Sequence, residues 1–212
     1  MASFQVQIED MVGIVGSSAD TTSDTTAITS WLTDGAKEII NAMSPNLLAL
    51  CATEQTLTPR AVGSESSAAT LKTGRVFNVR RNDGTIDQPC RLVSSRVKGR
   101  VSDPDEMDYA TATDPVYYIE SNYLNILPSS SSAVGKYSEV QYPSVTYDID
   151  AISTFPDEAE YLVVLYAAMK ASERIVSDNI RVDEDIELAN ARKDQYTWLQ
   201  NQYATGLKAI SV

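Results

Sequence analysis

The sequence predicts an α+β protein: a helical bundle, made of N-terminal helices plus two long C-terminal helices, interrupted by a β-rich insertion. Three observations predict it. Apolar residues recur at helical spacing near both ends of the 212-residue chain. The middle turns to β-branched and aromatic residues punctuated by Gly, Pro, Asn and Asp. Helical texture then returns, with acids crowded where they favour the positive end of a helix dipole. These textures divide the chain into 1–52 and 151–205, the two helical parts of the bundle, 53–150, the insertion, and 206–212, a C-terminal arm.

Ile8, Met11, Val12 and Val15 keep helical spacing until Gly16 stops them, and the polar run Ser17 to Thr26 follows as a loop. Asp24 or Thr25 caps a second helix whose Ile28, Trp31, Leu32, Ile39, Ile40 and Met43 form one apolar stripe, ended by Ser44-Pro45-Asn46. In the insertion, Arg75 to Arg81 alternates around Val76 and Val79, and Asn82-Asp83-Gly84-Thr85 supplies the positive-φ residues of a tight turn. Pro89 to Arg100 suits a short helix as well as a strand. Val116 to Glu120 and Tyr123 to Leu127 form a second hairpin around Ser121-Asn122, and Tyr137 to Tyr147 is another strand candidate. Thr154, Pro156, Asp157 and Glu158 make a capped helix start, after which Ala159, Leu162, Val163, Tyr166 and Met169 need packing partners on more than one side. The last helix is expected from Asp183 to about Ala204, with Gly206 as terminator.

A hydrophobic share of 43% and a charged share of 22% fit a folded body and exclude a disordered tail or fibrous repeat. The net charge of −12 disfavours a grip on DNA, which needs a basic footprint, although an acidic surface can surround DNA and leave it free to slide. Cys51 and Cys90 lack metal-ligand spacing and read as reduced core residues. The first residues lack a secretory signal, and no apolar stretch approaches the roughly 20 residues that span a bilayer. A protein made and kept in the cytoplasm, or in a particle assembled there, is expected.

The absence of histidine removes the commonest general base, the Ser-His-Asp relay and the commonest transition-metal ligand. Gly13-Ile14-Val15-Gly16-Ser17-Ser18 lacks the lysine and hydroxyl ending of a phosphate loop and reads as a helix end. Asp103, Asp105, Glu106 and Asp108 lack the central glycine and distant glutamate of a calcium loop, and read as a solvated acidic loop. Trp31 and Trp198 sit in helical patterns and read as core. No enzyme, no cofactor and no metal is expected.

Charge position is more informative. From Lys72 to Arg100 eight bases face only Asp83 and Asp87, a local excess of +6, whereas Asp103 to Glu187 carries eighteen acids against four bases, −14. Such separation suits docking of Arg80, Arg81 and Arg96 onto Asp105, Glu106 and Asp108 of the next copy, a heterologous contact that closes into a ring when the rotation permits. The alternative is neutralisation within one fold. After Gly206, the apolar residues Leu207, Ile210 and Val212 either anchor the arm in a partner or fold back onto the helices; as an arm, its removal leaves the fold intact.

The stretches Ile28-Thr29-Ser30-Trp31-Leu32-Thr33-Asp34-Gly35-Ala36-Lys37-Glu38-Ile39-Ile40, Asp114-Pro115-Val116-Tyr117-Tyr118 and Phe155-Pro156-Asp157-Glu158-Ala159-Glu160-Tyr161-Leu162-Val163-Val164-Leu165-Tyr166-Ala167-Ala168 resemble the head-to-tail connector adaptors of tailed bacteriophages. That resemblance implies a virion neck protein forming a homo-oligomeric ring of about twelve copies. It implies contacts with the portal protein and a downstream neck or tail protein, a DNA channel lined by acids without specific binding, and a portal-binding arm made by Gly206, Leu207, Ile210 and Val212. The insertion is larger than in minimal adaptors. Two other readings stay open: another neck or tail component, such as a tail terminator or head-completion protein, and a carbohydrate or small-molecule binding module using Tyr117, Tyr118, Tyr123, Tyr137 and Tyr142.

Overall fold

A computed structural model of the chain describes residues 2–13, 21–57, 69–128, 133–178 and 186–211. Along it run α1 (Phe4–Val12), α2 (Thr21–Ala42), α3 (Pro45–Leu50), β1 (Ala52–Leu57), β2 (Ala69–Thr70), β3 (Val76–Asn82), β4 (Asp87–Pro89), β5 (Arg91–Leu92), a 3-10 turn (Ser95–Val97), α4 (Lys98–Ser102), β6 (Val116–Glu120), β7 (Tyr123–Leu127), β8 (Val134–Val140), α5 (Asp157–Asp178) and α6 (Ile186–Ile210). The chain is α+β, with two long C-terminal helices. It divides into a helical unit, Met1–Cys51 with Tyr142–Val212, and a β unit, Ala52–Gln141.

In the helical unit α5 packs against α1, α2 and α6. Ala159, Leu162, Val163, Val164, Leu165, Ala167, Ala168, Ala171 and Ser172 are all buried, so little of its middle is left to solvent. The many alanines let neighbouring helices approach closely, and the near-continuous burial explains an apolar pattern wider than one stripe. α2 buries Ile28, Leu32, Ala36, Ile39 and Ile40; of the expected stripe, Trp31 is half-buried and Met43, buried, lies just past the end of the helix. α1 buries Phe4, Ile8 and Val12 at intervals of four, while Met11 is half-buried and Val15 lies outside the described residues. The first amides of α1 donate to Ile149 O at 2.8 Å and Tyr147 O at 2.9 Å, and its last carbonyls accept from Arg192 Nη1, at 2.8 Å on Val12, and from Gln195 Nε2 on Met11. Both helix ends therefore find the partners that their orphan groups require.

Several expectations need correction here. Residues 142–150 belong with the helices rather than the insertion: β8 stops at Val140, and Val145, fully buried, exchanges hydrogen bonds with Thr33 Oγ1. Thr154 does not cap α5; its φ is +59° and its hydroxyl donates to Ser153 O. Trp198 is 53% exposed and Trp31 half-buried, so neither is a sealed core residue. Gly206 does not end α6, which continues to Ile210. A Cβ at Gly206 would collide with Leu162, so close packing against α5, rather than chain termination, accounts for the glycine.

The β unit holds two four-stranded sheets, ordered β1-β8-β3-β4 and β2-β7-β6-β5. All pairs are antiparallel except β5 with β6. Both expected hairpins form. Ser121 and Asn122, at φ +51° and +68°, close β6 onto β7 in the mirror-image turn that matches strand twist. Gly84, at φ +101°, turns β3 into β4, where Asn82 Oδ1 accepts from Gly84 N and Asp83 Oδ1 accepts from Thr85 N and Ile86 N. The ambiguous stretch from Pro89 to Arg100 holds the end of β4, all of β5, the 3-10 turn and the start of α4. Leu57, Val79 and Tyr137 from one sheet meet Leu71, Leu124 and Ile126 beside the other, and a second cluster gathers Val101, Ala110, Val116, Tyr118 and Leu127.

One buried charge organises the approach to β3. Glu139 on β8 is 1% exposed, and its Oε1 accepts from Lys72 N at 2.6 Å, Thr73 N at 2.7 Å and Gly74 N at 3.2 Å. A buried carboxylate survives when converging amides replace its hydration. Glu139→Ala strands those amides and is expected to destabilise the β unit by about 3 kcal/mol. Hydrogen exchange checks this: the amides of residues 72–74 lose protection in the variant, and unchanged protection contradicts the assigned role.

Candidate interaction surfaces

The charges that sequence separates are drawn together inside the β unit. Arg80 Nη2 lies 2.6 Å from Glu54 Oε2 and its Nη1 lies 3.6 Å from Asp87 Oδ2; Lys136 reaches the same Glu54 at 3.4 Å. Arg91 pairs with Asp114 at 3.1 Å and Lys98 with Glu120 at 2.8 Å. Arg100 bridges into the acidic loop, 2.8 Å from Asp108 and 3.5 Å from Glu106. Arg81 is only 4% exposed and donates from Nε to Pro128 O at 3.0 Å. Of the six residues expected to make lateral contacts, Arg80, Arg81, Glu106 and Asp108 thus have partners in their own copy. Arg96 and Asp105 stay exposed. Part of the local excess of +6 is offset by acids outside that stretch, Glu54, Glu106, Asp108, Asp114 and Glu120.

Counted by unit, the β unit holds eleven acids and ten bases, a net of −1. The helical unit holds eighteen acids and seven bases, a net of −11. Nearly all of the protein's net charge belongs to the helical unit.

The five tyrosines of the binding-module reading lie in different surroundings. Tyr118 and Tyr137 are buried in different clusters, and Tyr117 packs beside the second of these. Adjacent residues of a strand face opposite sides, so Tyr117 and Tyr118 cannot share a platform. Tyr123 is exposed, and Tyr142 belongs to the helical unit, where its hydroxyl donates to Asn41 Oδ1 at 3.0 Å. Among the described residues, no group of three or more Cys, Asp or Glu side chains has the arrangement to hold a metal ion. Both cysteines are free, with burial pushing the Cys51 thiol up to about 11 and the Cys90 thiol up to about 12, far from a nucleophilic thiolate at neutral pH. No helix among the described residues is long and apolar enough to cross a membrane.

The expected arm is helical instead. Gly206, Leu207 and Ile210 continue α6, Ile210 is 7% exposed, and its carbonyl accepts from Ser44 N at 2.9 Å. Val212 lies outside the described residues. The segment folds back because α6, held along its length by α5, presents Ile210 to the bundle.

A surface that sequence reading missed lies in the helical unit. A groove of about 420 Å³ runs between Leu47 and Leu50 of α3 and residues Thr154 to Glu158 at the start of α5. Leu50 is 60% exposed, whereas Phe155 and Pro156 are buried and form its floor. Asp157 and Glu158 are exposed on its rim, in the first turn of α5, where the dipole favours them. The available signal was Leu47 and Leu50, one helical turn apart, directly after the Ser44-Pro45-Asn46 stop. Behind this rim, Glu160 Oε1 accepts from Ile152 N at 2.6 Å, yet desolvation, joined by Asp157 and Asp150, holds its pKa above the ordinary 4.5.

Two outcomes are expected. Deleting the residues after Gly206 removes Ile210 from the core and costs about 3 kcal/mol, read by urea unfolding through Trp31 and Trp198; unchanged stability restores the separate arm. A raised folded pKa means that the folded state holds the Glu160 proton more tightly, so its contribution is fully present below the unfolded value and is lost as pH rises through the folded one. Glu160→Gln keeps an acceptor for Ile152 and removes that loss. The variant therefore gains stability relative to wild type as pH climbs from the ordinary value of 4.5, and a pH-independent difference contradicts the assignment.

No family model matches the chain and no curated protein matches it, so its function is read from its own residues.

Proposed function

We propose that this chain is a non-enzymatic structural protein of a tailed-bacteriophage particle, the head-to-tail adaptor that forms a ring between portal and tail and surrounds the DNA path. The observation that carries the proposal is the uneven charge: a helical unit of −11 beside a β unit of −1. Phosphates are held by cations, and a wall of carboxylates repels them, so acidic helices suit a conduit through which DNA moves without sticking. A nearly neutral β unit, with Arg80, Arg91, Lys98, Arg100 and Lys136 engaged in ion pairs, suits contact with neighbouring protein instead. The expected interior location is the virion neck, after assembly in the host cytoplasm.

The test is an image of the particle carrying an affinity-tagged copy of the chain. The expected result is tag density in a closed ring directly below the portal, with the acidic helices toward the DNA. Tag density at the far end of the tail, or on the capsid surface, contradicts the adaptor role; density at the head or tail edge of the joint without portal contact assigns a head-completion or terminator role instead.

A further inference from the structure

We propose that the groove beside α3 receives the Leu92 corner of a second copy of this chain. Among the described residues, the two most exposed leucines lie on opposite kinds of surface. Leu50, 60% exposed, edges an apolar groove rimmed by Asp157 and Glu158 on the unit of net −11. Leu92, 61% exposed, lies on the two-residue strand β5 between Arg91 and the 3-10 turn that carries Arg96. Arg96 is exposed and has no side-chain partner among the described residues, whereas Arg91 is held to one carboxylate, Asp114, across an exposed pair.

Each surface supplies what the other lacks. The groove has apolar walls and excess negative charge; the corner has a projecting leucine and a free guanidinium. Leu50 remains 60% exposed in the single chain, so the described residues of its own copy do not fill the site. A knob inserting into such a groove loses apolar exposure on both sides, while the general negative field of the helical unit draws the corner in and Arg96 beside Asp157 or Glu158 favours this orientation. The two patches are different, so the contact is heterologous: a pair leaves one groove and one corner free, and further copies add until the array closes or runs on. This deepens the assembly reading above and rests on it, naming the partner as a second copy and the contact as Leu92 in the groove.

Leu50→Glu and Leu92→Glu test it, since both side chains are exposed and far-UV circular dichroism checks that each variant folds. In sedimentation velocity the wild type should grow heavier with concentration, and each variant alone should stay single. Mixing the two variants should restore a species of two copies and nothing larger, because one intact groove then meets one intact corner. Association that both single variants retain overturns the docking while leaving the ring standing. A mixture that stays monomeric, or a wild type that stays single up to its solubility limit, also overturns it, and the particle image then decides the adaptor role separately.

Discussion

The burial of α5 is the constraint on which the helical unit depends. Ala159, Val163, Ala167, Ala168 and Ala171 are fully sealed, by α1 and α2 from the start of the chain and by α6 from its end. No contiguous stretch of sequence can close this core, since the β unit intervenes from Ala52 to Gln141. The interruption is tolerable because β1 and β8 are antiparallel partners with Ala52 opposite Val140, which brings the entry and exit of the β unit together. Joining both ends at one paired position avoids the loop-closure entropy that a long unstructured insertion would add. Glu139, next to that junction on β8, then ties the 72–74 turn to the same place with three amide hydrogen bonds.

This architecture sorts charge as well as structure. Exposed ion pairs within the β unit contribute little stability individually, on the order of 0 to 1 kcal/mol each. Their larger effect is to cancel the field of that unit, so that the acids of the helical unit stand almost alone. A long-range field of one sign discourages polyanions and favours basic surfaces. Both the proposed DNA path and the proposed seat for a second copy draw on this one asymmetry.

Local signals in the sequence were enough for the elements they control. Asn-Asp-Gly and Ser-Asn sequences place both hairpins because positive φ is a local demand, and the α2 stripe is legible because one face alone is buried. What depends on distant partners was not legible. Arg80 finds Glu54 and Arg100 finds Asp108 only after strands and loop have packed. Gly206 reads as a helix end until Leu162 is seen to occupy the space of its missing side chain, and the supposed arm follows from that one misreading. Tyr137 to Tyr147 reads as a strand, yet pairing stops at Val140, and Thr33 and an α1 amide claim the backbone of Val145 and Tyr147. The groove was hidden because its walls come from residues more than a hundred positions apart.

The claim at the centre is that this protein acts through surfaces it completes only in company. Native mass spectrometry of the chain mixed with the portal ring of the proposed particle is the most direct test. Portal complexes carrying a closed complement of this chain are predicted; a portal that stays bare beside unassociated single copies would contradict it.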